Sequence, residues 1–222
     1  LGESATAADN NASALGKSAS ASGISATAIG HKANAYGLSA TALGTFATSN
    51  DYATGIGELA NASGSISAAL GYKANSVGDS STAIGAEAFA SGTSAIAIGQ
   101  SSKVSGEAGL AIGHSSNAVQ EAIAIGRRSK ATQQYAIAIG CQAKATAGEA
   151  IAIGKSADSQ AQAIVIGGQA KAKAGGACGI AIGYQAETNA QNAYAIGSQA
   201  KAFGAQSIAI GHQAETKEAI VH

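Results

Sequence analysis

Apolar and small residues alternate in a pattern that recurs along the whole chain and ends each time in glycine, as in Ala95–Gly99 (Ala-Ile-Ala-Ile-Gly). Sixteen glycines close a copy of this pattern, and they are separated by 14 residues in eleven intervals, by 13 in three and by 16 in one. Such a strict period predicts a repeat architecture and leaves no length for a separate catalytic domain. We call these the repeat glycines: Gly2, Gly16, Gly30, Gly44, Gly57, Gly71, Gly85, Gly99, Gly113, Gly126, Gly140, Gly154, Gly167, Gly183, Gly197 and Gly211.

The residues after each repeat glycine predict a strand with one packed face and one hydrated face. After Gly30, the small residues Ala33 and Ala35 flank polar Asn34, and most turns keep this order. Alternation with period two is typical of a strand that has one face in water. Seven residues after the repeat glycine, many turns have a second glycine such as Gly37, which predicts a corner because glycine tolerates positive φ.

The residues before each repeat glycine predict a second strand that has no polar face. Isoleucine or leucine lies one residue before the glycine, alanine lies before that, and later turns add an isoleucine three residues before the glycine. Such a strand is buried on both sides. One side can face the first strand, and the other is predicted to pack against further copies of the chain. A single thin roll would otherwise bury too little apolar surface to offset an ordering cost of about 1–2 kcal/mol per residue. The isoleucines predicted to pack in the core of the roll or between copies are Ile98, Ile112, Ile123, Ile125, Ile137, Ile139, Ile151, Ile153 and Ile210.

A turn of about 14 residues accommodates two short strands and two tight corners, but no helix. Stacked turns then form two parallel sheets back to back, in which equivalent positions line up as ladders. We therefore predict an all-β fold, a parallel β-roll or solenoid, with residues 1–216 as a single repeat domain. Residues 217–222 are predicted to end the roll, because His222 stands where isoleucine is expected, and a neck or connector could start there.

Composition and charge argue against several classes of protein. The 222 residues include 30 glycines and no proline, methionine or tryptophan, and alanine supplies much of the 46% apolar share, so a thin cross-section is predicted. Thirteen basic and thirteen acidic residues cancel, which argues against a nucleic-acid partner. The apolar runs are much shorter than a membrane span, so we predict no membrane contact by these residues. Because the sequence opens at Leu1 in mid-repeat, we expect it to be part of a longer protein.

The sequence contains no motif that carries catalytic or cofactor chemistry. Serine is abundant but never stands in a nucleophile-elbow context, and the glycines lack the strand-to-helix setting of a phosphate-binding loop. His31, His114 and His212 each follow a repeat glycine at an exposed corner, and they lie many turns apart, so within one chain they cannot share a metal. Cys141 and Cys178 are more than two turns apart and are predicted to be unpaired. We therefore predict no enzymatic activity, no cofactor and no metal.

Outward basic residues are the candidate ligand contacts. They recur at equivalent positions, so weak contacts would be multiplied along the roll. The competing interpretation is that they only solvate an exposed strand and discourage aggregation. The candidates are Lys103, Arg127, Arg128, Lys130, Lys144, Lys171 and Lys201.

The repeat itself resembles a known family. Ser-Ile-Ala-Ile-Gly at 207–211 and its relatives are similar to the head repeat of trimeric autotransporter adhesins, the YadA-like head, over essentially the whole chain. The resemblance implies a left-handed parallel β-roll and a parallel homotrimer at the tip of a bacterial surface fibre. A stalk and an outer-membrane anchor would lie in regions absent from this sequence. The implied function is adhesion to host extracellular matrix proteins, cells or abiotic surfaces, with a role in virulence.

Two other functions remain for comparison. An ice-binding or surface-binding monomeric β-solenoid is suggested by Thr27, Thr41 and Thr54, although these share a face with the isoleucines and threonine leaves that column after Thr82. A hexapeptide-repeat acyltransferase would need turns of about eighteen residues, and the period of 14 rejects it.

Overall fold

The computed structural model describes residues 2–217, which form short β-strands joined by tight corners and include no helix. The chain divides into two compact units, Leu1–Ser115 and Ser116–His222. Each unit is a parallel β-solenoid, and together they hold about 15 turns. This confirms the predicted all-β solenoid with turns of about 14 residues. The predicted end of the roll at 217–222 lies outside the described residues, apart from Lys217.

In the first unit, odd-numbered strands have two residues and form one parallel sheet, and even-numbered strands have three residues and form another. We call these the short strands and the long strands. They are β1 (Thr6–Ala7), β2 (Ser13–Leu15), β3 (Ser20–Ala21), β4 (Thr27–Ile29), β5 (Asn34–Ala35), β6 (Thr41–Leu43), β7 (Thr48–Ser49), β8 (Thr54–Ile56), β9 (Asn61–Ala62), β10 (Ala68–Leu70), β11 (Asn75–Ser76), β12 (Thr82–Ile84), β13 (Phe89–Ala90), β14 (Ile96–Ile98), β15 (Lys103–Val104) and β16 (Leu110–Ile112).

The second unit has the same arrangement, with short strands in one parallel sheet and long strands in another. Its strands are β17 (Asn117–Ala118), β18 (Ile123–Ile125), β19 (Lys130–Ala131), β20 (Ile137–Ile139), β21 (Lys144–Ala145), β22 (Ile151–Ile153), β23 (Asp158–Ser159), β24 (Ile164–Ile166), β25 (Lys171–Ala172), β26 (Ile180–Ile182), β27 (Glu187–Thr188), β28 (Tyr194–Ile196), β29 (Lys201–Ala202), β30 (Ile208–Ile210) and β31 (Glu215–Thr216).

The interior between the two sheets consists mainly of alanine methyl groups, together with a smaller number of buried serine side chains. In β20 the central residue Ala138 points inward and is fully buried, as are Ala143 and Ala145 from the facing short strand. Val104 and Val165 are the largest apolar side chains that are fully buried in the described residues. Because side chains alternate along a strand, an inward alanine at the centre of a long strand directs the residues on either side outward.

The first corner of each turn explains the repeat glycines. In one turn, the backbone N–H of Ala143 donates a hydrogen bond to the carbonyl of Gly140 at 3.2 Å, and Gln142 within this corner has φ of 61°. Gly140 itself has φ of 133°, a conformation that side chains rarely adopt. A Cβ atom there would lie 2.5 Å from the carbonyl oxygen of Gly154 in the next turn. Glycine is therefore required both by conformation and by the close stacking of turns.

The second corner forms where the sequence predicts it, but the reason given for its glycine is wrong. Gly37 accepts a hydrogen bond from the N–H of Ala40 at 3.2 Å, yet positive φ occurs two residues later, at Ser39 (51°). Gly37 is needed because a Cβ atom would lie 2.1 Å from the backbone nitrogen of Asp51. Close approach between turns, rather than backbone conformation, selects glycine at this corner.

Candidate binding surfaces

Each unit presents two chemically different outward faces. The long strands direct their first and third residues outward, and the short strands direct their first residue outward. In the second unit the first set is apolar and the second set is mostly charged. We call the outward positions of β18, β20, β22, β24, β26, β28 and β30 the isoleucine face.

The isoleucine face consists of two continuous columns. Ile123 pairs in register with Ile137, and Ile125 pairs with Ile139, and the columns continue in this way through β30. Tyr194 is the single interruption. Within one chain these side chains are only partly covered: Ile164 and Ile166 in β24 each remain 38% exposed.

The predicted core isoleucines lie on this outward side of the long strands in both units. The sequence left two roles open for these isoleucines, packing inside the roll or packing between copies of the chain. The first role is wrong, because alanine side chains occupy the interior. Packing between copies of the chain stays a prediction. Ile98 and Ile112 of the first unit are half-buried, as are Ile123, Ile125, Ile137, Ile139, Ile151 and Ile153 of the second, and Ile210 is 67% exposed.

In the first unit the corresponding face is mixed. Thr27, Thr41 and Thr54 stack in register on three successive turns, and Ala68 interrupts the column. They share a face with isoleucine and leucine, as predicted, but that face is outward. The threonine column is therefore short and half-buried.

The structure brings four of the seven candidate basic residues together. Arg128, Lys130, Lys144 and Lys171 line one groove of about 420 Å³ in the second unit, together with Gln142, Ser156 and Asp158. We call this the basic groove. Arg127 is adjacent in sequence, and its Nη2 lies 3.5 Å from the Sγ of Cys141.

Two candidate lysines lie elsewhere. Lys103 belongs to the first unit, where its Nζ lies 5.8 Å from the centre of the Phe89 ring. Lys201 stands in β29 between Glu187 and Glu215, its register partners. The lysine column is therefore not uniformly basic. The repeat already showed this, since Asp158, Glu187 and Glu215 occupy the same position four residues after a repeat glycine.

A ladder of glutamine side chains borders a second groove in the same unit. The Nε2 of Gln185 donates to the Oε1 of Gln169 at 3.0 Å, Gln199 donates to Gln185 at 3.1 Å, and Gln213 donates to Gln199 at 3.0 Å. Facing this glutamine ladder are side chains of alternating charge, and the groove measures about 500 Å³. They are Lys171, Glu187, Lys201 and Glu215.

Sequence reasoning missed an apolar cluster at the second corners of the first unit. Ile24, Leu38, Tyr52 and Ile66 are all exposed there, Ile66 by 64%. The available signal was a set of large apolar residues at corner positions where neighbouring turns have serine or aspartate.

Two titratable groups among the described residues have shifted pKa values. A hydrogen bond to Tyr72 raises the pKa of Lys73, and a hydrogen bond to Glu121, aided by its charge, raises the pKa of Tyr135. Both side chains are exposed. Across residues 2–217, no cluster of three or more histidine, cysteine or acidic side chains is placed to hold a metal ion.

Cys141 is half-buried, Cys178 is exposed, and both are free thiols. No helix in the described part of the chain is long and apolar enough to cross a membrane.

The fold is thus a parallel β-solenoid whose large apolar and charged side chains lie on its outward faces. A family model described as "YadA head domain repeat" matches most of the sequence, and the chain belongs to this family of adhesin-type heads of cell-surface proteins. The matched residues are 1–19, 21–47, 49–74, 67–88, 90–118, 120–140, 135–157 and 189–214.

Comparison with curated proteins found no match. Among solved structures, the chain is similar to the collagen-binding domain of the Yersinia adhesin YadA, with 25% identity and a TM-score of 0.39 over 78% of this chain and 69% of that domain.

Proposed function

We propose that this chain is the head of a bacterial surface adhesin that works as a parallel homotrimer of left-handed rolls. It would be anchored in the outer membrane through other parts of the protein and would bind host matrix proteins, cells or abiotic surfaces. Family membership supports an adhesin head, which is a non-enzymatic type of protein. Attachment of this kind would contribute to virulence.

The isoleucine face is the observation that best supports assembly as a trimer. The second unit has 13 outward isoleucines on its long strands, and five of them are more than one-third exposed in the single chain. Full burial of an isoleucine stabilises by about 1.5–3 kcal/mol, so covering a remaining third contributes about 0.5–1 kcal/mol per side chain. Over the face this reaches about 6–13 kcal/mol per chain, comparable to the association cost of about 4–15 kcal/mol. An uncovered face of this regularity is typical of an interface.

Assembly through the isoleucine face would leave the opposite, charged face in contact with solvent and ligands. The candidate contact residues are Lys103 in the first unit and, in the second unit, Arg127, Arg128, Lys130, Lys144, Lys171 and Lys201. Each contact would be weak, because exposed charge pairs contribute about 0–1 kcal/mol. Repetition along the roll and across three chains would raise the total avidity.

The test is the solution mass measured by light scattering during size exclusion. The wild-type chain should have a mass near three times 21.2 kDa. Ile139→Asp introduces a carboxylate into the isoleucine face and should give the monomer, since an unpaired buried charge is strongly unfavourable. Asn117→Asp adds the same charge on the opposite face and should leave the trimer intact.

A monomeric wild-type chain at micromolar concentration would contradict the trimer and favour a monomeric surface-binding solenoid. Adhesion itself is tested by binding of the trimer to surfaces coated with matrix proteins, collagen among them, with an albumin-coated surface as the control. Equal retention on albumin and on every matrix protein would contradict specific adhesion to the matrix.

A further inference from the structure

We propose that the basic groove binds a linear sulfated polysaccharide. The proposal deepens the proposed adhesive function, because it names a ligand class for part of the same outward face. The chain is neutral overall, yet its charges are segregated: residues 116–222 contain nine basic and six acidic residues, whereas residues 1–115 contain four basic and seven acidic. The second unit alone is therefore suited to an anionic partner.

The spacing of the cations favours an extended ligand. Lys130, Lys144, Asp158 and Lys171 are successive register partners in β19, β21, β23 and β25. With adjacent strands about 4.8 Å apart, the three lysines stand at about 0, 5 and 14 Å along the groove. A single small anion could reach only the first two. A polymer with negative groups at regular intervals could reach all three.

The groove side chains are available for such contacts. Among residues 2–217, the ion pairs are Lys17 with Glu3, Lys173 with Glu187 and Lys217 with Glu215, and they include none of the groove cations. Arg128, Lys130, Lys144 and Lys171 are all exposed.

Gln142 and Ser156 line the same groove as the cations. Their amide and hydroxyl groups match the hydroxyl groups of a sugar chain.

The composition of the groove argues against nucleic acid as its ligand. Proteins that bind single strands place aromatic side chains where bases can stack, each contributing about 1–3 kcal/mol. No aromatic residue lines this groove.

Calorimetric titration of the 222-residue chain with a heparin oligosaccharide tests the proposal. Lys144→Gln and Lys171→Gln should each weaken binding by about two- to five-fold, as expected for loss of one exposed charge contact. Lys17→Gln removes an exposed lysine of the first unit that pairs with Glu3, so it is the matched control and should not change affinity. Asp158→Asn should tighten binding by a similar factor, which a merely structural role would not produce.

Equal affinity for a desulfated oligosaccharide, equal or stronger binding of a single-stranded oligonucleotide, or an equal loss with Lys17→Gln would each overturn the proposal. The mass of each variant, measured by light scattering, separates this proposal from the trimer. A trimer that does not bind heparin refutes only the polysaccharide site, and a monomer that binds heparin refutes only the assembly.

Discussion

Gly140→Ala is a direct perturbation of the stacking between turns. The substitution adds one methyl group at a backbone with φ of 133°, where glycine alone is common. The added Cβ would lie 2.5 Å from the carbonyl oxygen of Gly154 and 2.6 Å from its carbonyl carbon. Both are backbone atoms of the next turn, so no side-chain rotation can relieve the contact. The neighbouring strand pairing must shift instead.

The expected cost has two parts. Holding a non-glycine residue in this region costs about 1–3 kcal/mol. Forcing extra volume into packed surroundings costs about 1–3 kcal/mol more. Together they remove about 2–6 kcal/mol from a free energy of unfolding that is about 5–15 kcal/mol in native proteins. At about 2–4 °C per kcal/mol, Tm should fall by about 5–20 °C.

Gly148→Ala is the matched control in the same unit. Its φ lies outside the left-handed region, and the nearest atom to an added Cβ is the carbonyl oxygen of Gln134 at 3.8 Å, an ordinary contact. Alanine at such a compatible site usually stabilises by about 0.4–1 kcal/mol, because it restricts the unfolded chain. Urea and thermal unfolding, followed by circular dichroism, measure both variants. Equal stability of the two variants would refute the reasoning, since only Gly140 combines the strained φ with the short contact.

Three further perturbations test separate features of the structure. Ala138→Leu should destabilise the fold by about 1–3 kcal/mol in urea unfolding, because the interior is packed with methyl groups. The largest side chain in this column of β20, β22 and β24 is that of Val165. An unchanged unfolding midpoint would contradict this prediction. Glu121→Gln should lower the pKa of Tyr135 towards its usual value in an NMR titration, because the carboxylate raises that pKa. Because the pKa of Tyr135 is raised, its hydrogen bond to Glu121 stabilises the folded chain below the usual phenol pKa. This stabilisation is lost as pH rises through the pKa of Tyr135 in the folded chain. Gln199→Ala removes two side-chain hydrogen bonds of the glutamine ladder. The free energy of unfolding should fall by about 1–3 kcal/mol in the same urea assay. A larger fall would contradict this estimate of the ladder's contribution to stability.

Much of the architecture followed from the period of the sequence. A repeat of about 14 residues defines two strands and two corners per turn, and it also sets the register, because each residue pairs with its equivalent in the next turn. The same counting, applied to the sequence alone, places Lys130, Lys144, Asp158 and Lys171 in one column. The groove that these residues line with Arg128 could not be predicted in the same way, because the shape of the surface beside a corner does not follow from residue spacing.

The sequence by itself determined the parallel stacking and the positions of the strands. It could not determine which side of the long strands is inside, because alanine and isoleucine are both apolar and alternation alone gives no direction. The tertiary structure decided this through distance: two tight corners hold the sheets so close that only residues such as Ala138 and Ala143 fit between them. Larger side chains such as Ile139 must then point outward, and the face that they form exists because the interior has no room for them.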